Sequence, residues 1–325
     1  MKKVLTTLFI LFLCCSIVGC SKTTDNNVTH VKQYRIGTAA TTGAAYPIGG
    51  MMASILSREM EGCNFTAEST GGTIENARRI NSGEIHVGTC ANDGIYFAYH
   101  GIDKFEGEGK QKVLALANTY LTPYQIVALK DKNINCLSDL EGKKVAVGSP
   151  GSANNIKAQL FLDVFGFVDK ENIEFLYLDW GEASEGLIDG NCDVAMIPVG
   201  LPASSIQELA ISHDIVLISF TPDELERLVN EVPFFSETIV PADTYNGVDY
   251  DVLTFGCGNT LAISPDLDED TVYNMARILF SENYEEFQSA HQSMQGIIKE
   301  KLSDTVIPLH PGAEKYYKEM GYVDN

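Results

Sequence analysis

The chain has 325 residues, 45% of them hydrophobic and 21% charged, with a formal net charge of −21. That length is more than one ordinary core fills and suits two domains. The acidic balance is a poor match for nucleic acid, whose affinity comes mainly from neutralising phosphates, and reads instead as solubility.

Lys2 and Lys3 precede a mostly apolar run over residues 4–18, and Ile17, Val18 and Gly19 lead into Cys20. This is the pattern of a lipoprotein leader over residues 1–19. The run, about 15 long, falls short of the roughly 20 apolar residues that span a bilayer. Cleavage would leave a lipid on the Cys20 sulfur and a polar tether over residues 20–33. The expected product is exported and anchored to the cell membrane, with a net charge of about −23 once Lys2 and Lys3 are lost. Five cysteines then remain: Cys63, Cys90, Cys136, Cys192 and Cys257. No CxxC or Cys/His spacing indicates zinc. Cys63 and Cys90 fall at opposite ends of predicted parallel strands, on the order of 15 Å apart, too far for a disulfide. Mostly buried free thiols are expected.

Past the tether, the pattern is a repeated unit of strand, glycine-rich turn and helix. The first unit is YRIGT, then TTGAAYP, then a helix from Pro47, whose fixed φ suits a first helical position. The second is FTAES, TGGT and a helix through Ile74, Ala77 and Ile80 that stops at Ser82-Gly83. The third is IHVGTC, the turn at residues 91–94 and a helix from Ile95. KVLALANTY adds a fourth strand, and alternation of this kind argues for a parallel sheet with helices on its faces. After Pro123 a second series begins: YQIVALK as a connecting strand, a capping box at residues 138–141, a strand at 143–147, the turn at 148–152 and a helix through Ile156, Leu160 and Phe161. IEFLYL, CDVAMIP and DIVLIS supply further strands. The segment DVLTFGCGNTLAIS, residues 251–264, crosses back before helical sequence from Glu269 onward. The predicted domains are residues 34–124 with 257–325, and residues 125–256.

In such folds, ligands lie at the carboxyl ends of the strands. There the turns TTG, TGGT and GSPGSAN set hydroxyls and helix-terminal N–H groups toward a crevice, which favours an anion. Gly, Ser and Thr are also the ordinary chemistry of such turns. None of the three turns contains Arg or Lys; Lys157, Arg78 and Arg79 are set back within helices. Asp93 has two readings, a helix cap or a partner for an ammonium group. His310-Pro311 reads as a helix start.

The segments GTAATTGAAYPIGG, ESTGGTIENARRINSGEIHVG, LSDLEGKKVAVGSPGSAN, MIPVGLPASSIQELA and VIPLHPGAEKYYKEMGY, in this order, resemble the TAXI family of solute receptors for TRAP transporters. The resemblance runs from about Tyr34 to Tyr322 and implies a two-domain α/β periplasmic-binding-protein fold of type II. It implies a hinge, an interdomain ligand cleft and delivery of a solute to a TRAP-type membrane permease. Characterised members bind glutamate, glutamine or related dicarboxylates, so a small carboxylate is the expected solute. Carried onto this chain, the ligand-binding candidates are Thr41, Thr42, Gly43 and Tyr46 from the first turn, and Thr70, Gly71 and Thr73 from the second. Asn92, Ser152, Asn154 and Gly200 complete them. Tyr46 reads equally as a cover for the ligand's apolar stem or as a hydrophobic staple. No GxSxG, HExxH, Walker loop or complete GxGxxG is present; Gly256-Cys-Gly258 lacks the third glycine. Neither catalysis, a cofactor nor a metal is expected. A ligand-sensing surface lipoprotein built on the same fold is the alternative role.

Overall fold

The computed structural model describes residues 31–323 except Thr42 and Gly296. The predicted leader, Cys20 and Thr42 lie outside the described residues.

Strand β1 (Lys32–Gly37) alternates buried Tyr34 and Ile36 with exposed Gln33 and Arg35, the pattern of a strand with one covered face. Helix α1 (Ala45–Glu59) covers it with Ile48, Met52, Ile55 and Leu56, four residues on one helical stripe. The helix begins two residues before Pro47, which still sits in the first turn, where its missing N–H costs no intrahelical bond. Strand β2 (Cys63–Glu68), helix α2 (Thr73–Asn81) and strand β3 (Val87–Ala91) follow. Gly83, at φ +76°, ends the α2 segment as its position predicts. Helix α3 (Asn92–His100) starts directly at the end of β3, without the expected intervening turn. Strands β1, β2 and β3 are parallel, with Ile36 beside both Ala67 and Val87. Their carboxyl ends therefore share one edge.

The two strands expected on either side of Pro123 are one: β4 (Leu114–Leu129) runs unbroken for 16 residues. The capping element nearby is displaced too. A short 3-10 turn spans Leu137–Leu140, and the Asp139 carboxylate, not that of Glu141, accepts the N–H groups of Asn135 and Cys136. Next come β5 (Lys144–Ala146), α4 (Ala153–Val164), β6 (Glu174–Leu176), α5 (Trp180–Asp189) and β7 (Val194–Pro198). Then follow α6 (Ser204–Ser212), β8 (Ile215–Leu217), α7 (Pro222–Glu231) and β9 (Phe235–Val240). The predicted return crossing is β10 (Val252–Ile263), after which α8 (Glu269–Arg277), α9 (Tyr284–Gln288) and α10 (Pro311–Met320) complete the chain.

The sheet order is β2-β1-β3-β10-β4-β7-β5-β6, with β8 on β4 and β9 on β10. Both long strands serve two groups of neighbours. The later part of β10 pairs with β3, and its earlier part with β9. The later part of β4 pairs with β7 and β8, and its earlier part with β10 and, at Ala115, with Leu309. The cores divide in the same way. One packs Ile36, Met52, Val87, Leu261 and Val272; another packs Ile126, Val145, Phe161, Val194 and Phe255. Two α/β halves thus share two continuous strands. The strands meet where Gly256 faces Pro123 and a bulge follows Gly258. A Cβ on Gly256 would stand 2.8 Å from the Thr122 carbonyl oxygen, and one on Gly258 would stand 2.6 Å from Asn92 Nδ2. The Gly-Cys-Gly run is therefore a close strand crossing and not a remnant of a nucleotide loop.

The five remaining cysteines are free thiols; Cys90, Cys192 and Cys257 are buried, while Cys136 is exposed.

Candidate functional site

Two cavities adjoin through Asn154, which lines both. The larger, about 450 Å³, is bounded by the turn at Gly148, Ser149 and Ser152 and by Asp179, Trp180 and Gly181 at the start of α5. The smaller, about 170 Å³, sits at the strand crossing, among Tyr120, Thr122 and Tyr124 of β4 and Cys257, Gly258 and Asn259 of β10. Lys157 of α4 reaches it from one half of the molecule, and Ala91 from the carboxyl end of β3 in the other. The two cavities therefore open where carboxyl ends of strands from both halves converge, the place where folds of this topology hold ligands.

The helix terminus at this site is built by Ser152. Its hydroxyl accepts the Asn155 N–H at 3.1 Å, and its carbonyl accepts the Ile156 N–H. The N–H groups of Ala153 and Asn154, in the same first turn, have no intrahelical acceptor, as at any helix start. They add positive potential beside the Asn154 amide. Opposite, Asp179 and Glu182 form a reciprocal capping box that starts α5 and sets the Trp180 ring at the cavity wall. The D-W-G-E spacing carries that box in the sequence.

Two further groups set the chemistry of the smaller cavity. Tyr124 is 1% exposed, and its hydroxyl has no hydrogen-bond partner. Its ring is held by stacking on Phe255 at 4.6 Å between centroids. Burial, with Cys257 and Asp93 nearby, pushes the phenol well above its ordinary range, so the hydroxyl keeps its proton. Lys157 Nζ lies 2.8 Å from Asp93 Oδ2, and both side chains are nearly enclosed. Burial alone would lower the Lys157 pKa, but Cys257 and Asp93 outweigh it and the net shift is upward. Asp93 thus holds an ammonium, but a protein one, and it does so from the first turn of α3.

Of the predicted residues, Ser152 and Asn154 line the cavities, and Gly200 lies two residues beyond the cavity-lining Pro198. The others fall elsewhere. Asn92 is fully buried; its amide oxygen accepts from Thr260 and its Nδ2 lies 3.4 Å from Asn118 Oδ1. The Gly71 N–H is occupied by the Glu75 carboxylate at 2.7 Å, so the anion at the start of α2 is the chain's own. Thr73 Oγ1 accepts the Ala91 N–H, and Thr70 Oγ1 sits 2.8 Å from Asn76 Oδ1. Gly43 donates to the Ala40 carbonyl. Thr41 and Gly43 are exposed, as is Tyr46, inside α1 and so not a staple ahead of it; none of them lines either cavity. His310 caps α10 by accepting the Gly312 N–H, as its position before Pro311 suggested. Tyr124, Lys157, Asp93 and Trp180 were not among the predicted ligand residues.

Two α/β halves, two shared strands and a polar space between strand ends define the two-domain periplasmic-binding-protein fold. A model of the NMT1-like family matches residues 36–321, and the chain belongs to that family. Two solved structures agree on the fold. A TctC solute binding protein from Polaromonas is 14% identical, with 90% of this chain and 99% of that chain covered at a TM-score of 0.51. XAC2383 from Xanthomonas citri bound to ATP is 11% identical, with 89% and 95% covered at a TM-score of 0.50. The periplasmic aliphatic sulphonate binding protein SsuA from Escherichia coli, also 14% identical, covers 88% and 83% at 0.47.

Proposed function

We propose that the protein is an extracytoplasmic receptor that captures a small carboxylate solute, with glutamate, glutamine or a related dicarboxylate as the first candidates, and delivers it to a TRAP-type permease of the TAXI kind. The observation that carries this is a cavity shared by both halves and lined by Lys157 and by Tyr124, whose buried hydroxyl has no hydrogen-bond partner. A buried donor without an acceptor costs on the order of 1–3 kcal/mol, and a carboxylate bound there relieves it. At about 170 Å³ the inner space is smaller than the roughly 300–1,000 Å³ of drug-sized sites, so it admits one end of a small molecule. The larger cavity, with the α4 terminus, Ser149, Ser152 and Asn154, takes the other end. Thr41, Thr42, Gly43, Tyr46, Thr70, Gly71, Thr73, Asn92 and Gly200 remain contributors only if the cleft rearranges around the solute.

In this reading residues 34–124 with 257–325 form one domain and residues 125–256 the other, and closure rotates them about the crossing of β4 and β10. The protein is tethered to the membrane through a lipid on Cys20; labelled fatty acid enters the wild type and not Cys20→Ser. The central test is calorimetric titration of the full chain with glutamate, glutamine, 2-oxoglutarate and succinate beside sugars and cations. A carboxylate should bind best, and Asn154→Ala should weaken it by roughly 1–3 kcal/mol, as for a lost hydrogen bond to a charged group. A sugar or cation binding best overturns the reading.

A further inference from the structure

Helix α3 has two packed faces. Its sequence from Asp93 to His100 is DGIYFAYH. Ile95 and Ala98 are fully buried among Ala77, Ile80 and Ile307 of their own half. Asp93, Tyr96, Phe97 and His100 recur at the i, i+3, i+4, i+7 spacing of a second stripe. Most of that stripe meets the other half. Asp93 Oδ2 lies 2.8 Å from Lys157 Nζ, and the rings of Tyr96 and Phe97 stand 6.0 and 5.5 Å from that of Phe234, buried just ahead of β9. Phe97 and Val306 pack against the cores of both halves. The two shared strands are therefore joined by a third, non-covalent contact between the halves.

This contact lies beside the strand crossing. Asp93 Oδ1 is 3.9 Å from Cys257 Sγ, and Cys257 pairs with Thr122 where β10 meets β4. A rotation displaces a group in proportion to its distance from the axis, so contacts at the crossing persist through a swing that carries the sheet edges far. The edge strands β2 and β6 each stand three strands out from the crossing pair, about 15 Å at about 4.8 Å per strand. Parting the α3 contact instead would expose the Phe234, Tyr96 and Phe97 rings to water, an apolar loss that a swing about it avoids. We infer that α3 is the third member of the hinge: the halves swing about an axis through the strand crossing and the seat of α3 on Phe234 and Lys157, and the cleft opens on the side away from α3. The smaller cavity, which touches Ala91 at the foot of α3, is then the deep end of the cleft. The larger one, lined by the starts of α4 and α5, is its mouth. Lys157 keeps Asp93 throughout with one of its three N–H groups, and the other two remain for a solute. This inference rests on the two-domain receptor reading and deepens it by fixing the hinge axis and the entrance of the same site.

The test measures distances across the hinge and across the mouth. In the full chain, p-acetylphenylalanine is introduced in pairs at exposed positions and coupled to a ketone-reactive nitroxide, which leaves the native thiols unlabelled. One pair, at His100 and Glu226, joins α3 to α7, the helix that leads into Phe234. The other, at Ser69 and Tyr177, stands just past the carboxyl ends of the edge strands β2 and β6. Electron–electron distances are recorded on the empty protein and with glutamate, or with whichever carboxylate or sugar binds best in the titration. The spread of the Ser69–Tyr177 distance, or its shift on binding, should exceed that of His100–Glu226 roughly threefold, the ratio of the lever arms. A His100–Glu226 distance that spreads or shifts as much as the other overturns the inference, because α3 then parts from the second half; so does a protein in which neither pair spreads or shifts. Both results leave the carboxylate reading standing. A sugar binding best overturns that reading alone, since the same two pairs are then read with the sugar.

Discussion

Tyr124 sits in a well-packed aromatic cluster, stacked on Phe255 and tilted against Phe235, yet its hydroxyl meets no acceptor. Stability and binding should therefore respond in opposite directions to the loss of one oxygen. Tyr124→Phe should leave the protein as stable as the wild type or more stable by about 1 kcal/mol, since an unsatisfied donor is removed from the interior. The same change should weaken the bound carboxylate roughly tenfold, the order of one lost hydrogen bond to a charge. Urea denaturation without solute and calorimetry with it separate the two effects. A destabilised variant would mean that the hydroxyl has a structural partner. Glu75 shows the reverse situation. Its carboxylate fills the Gly71 N–H that a solute was expected to use, so that turn is satisfied without a guest.

At the scale of elements, the contact of α3 with α4 and the crossing of β4 with β10 decide how the halves are held. The Asp93–Lys157 pair spans 64 residues of sequence and is nearly enclosed. Single replacements, Asp93→Leu or Lys157→Met, should each cost about 3–5 kcal/mol because an uncompensated charge stays buried. The double replacement should cost distinctly less than the two together, and a double-mutant cycle in urea reads that coupling. Additive losses would mean that the pair is solvated and adds nothing across the interface. The strand crossing is a tighter constraint. In Gly256→Ala the new methyl would fall 2.0 Å from Leu121 Cδ2 and 2.8 Å from the Thr122 carbonyl oxygen. Leu121 can move; backbone cannot do so cheaply. A loss of about 1–3 kcal/mol is expected in the same denaturation assay, the usual result of overpacking.

Across the whole molecule, the buried thiols set the alkaline limit of stability. Burial pushes both Cys192 and Cys257 up to about 11 from an ordinary value of 9.0, with Lys157 partly opposing the shift at Cys257. A folded-state pKa above the unfolded value gives stability that is complete below the unfolded pKa and is lost as pH rises through the folded one. The window for these two is therefore pH 9 to about 11, and Cys90, which burial pushes higher still, carries the loss beyond it. Each thiol should remove on the order of 1 kcal/mol per pH unit within it. Lys157, also shifted upward, adds a loss of the same sign above its ordinary value of 10.5. Urea midpoints should stay level up to about pH 8 and then fall, and Cys192→Ala should flatten the fall. A variant that keeps the full slope would assign the alkaline loss elsewhere.

The sequence by itself determined what depends on near neighbours. Alternation at Tyr34 and Ile36, the stripe from Ile48 to Leu56, the stop at Gly83 and the cap at His310 all arise within a few residues, where periodicity and terminus chemistry act. The parallel order and its carboxyl-end turns follow from the repeated unit, and through them Ser152 and Asn154 were legible as residues at the strand ends, where they line the cavities. The domain count and the return crossing at β10 were legible for the same reason. What only the tertiary structure decided involves groups that are remote in sequence. Asp93 read as a cap or an ammonium partner, and nothing local said that Lys157 would arrive from another half of the molecule. Tyr124 lies in an apolar strand and looks like core, and it is core, except that its hydroxyl has no partner and the residue lines a cavity. Asn92 and Thr73 looked like ligand donors because their residue types are right; Thr260 and the Ala91 N–H claim them first. Residue type fixes what a side chain can bond, while packing fixes which partner lies within reach.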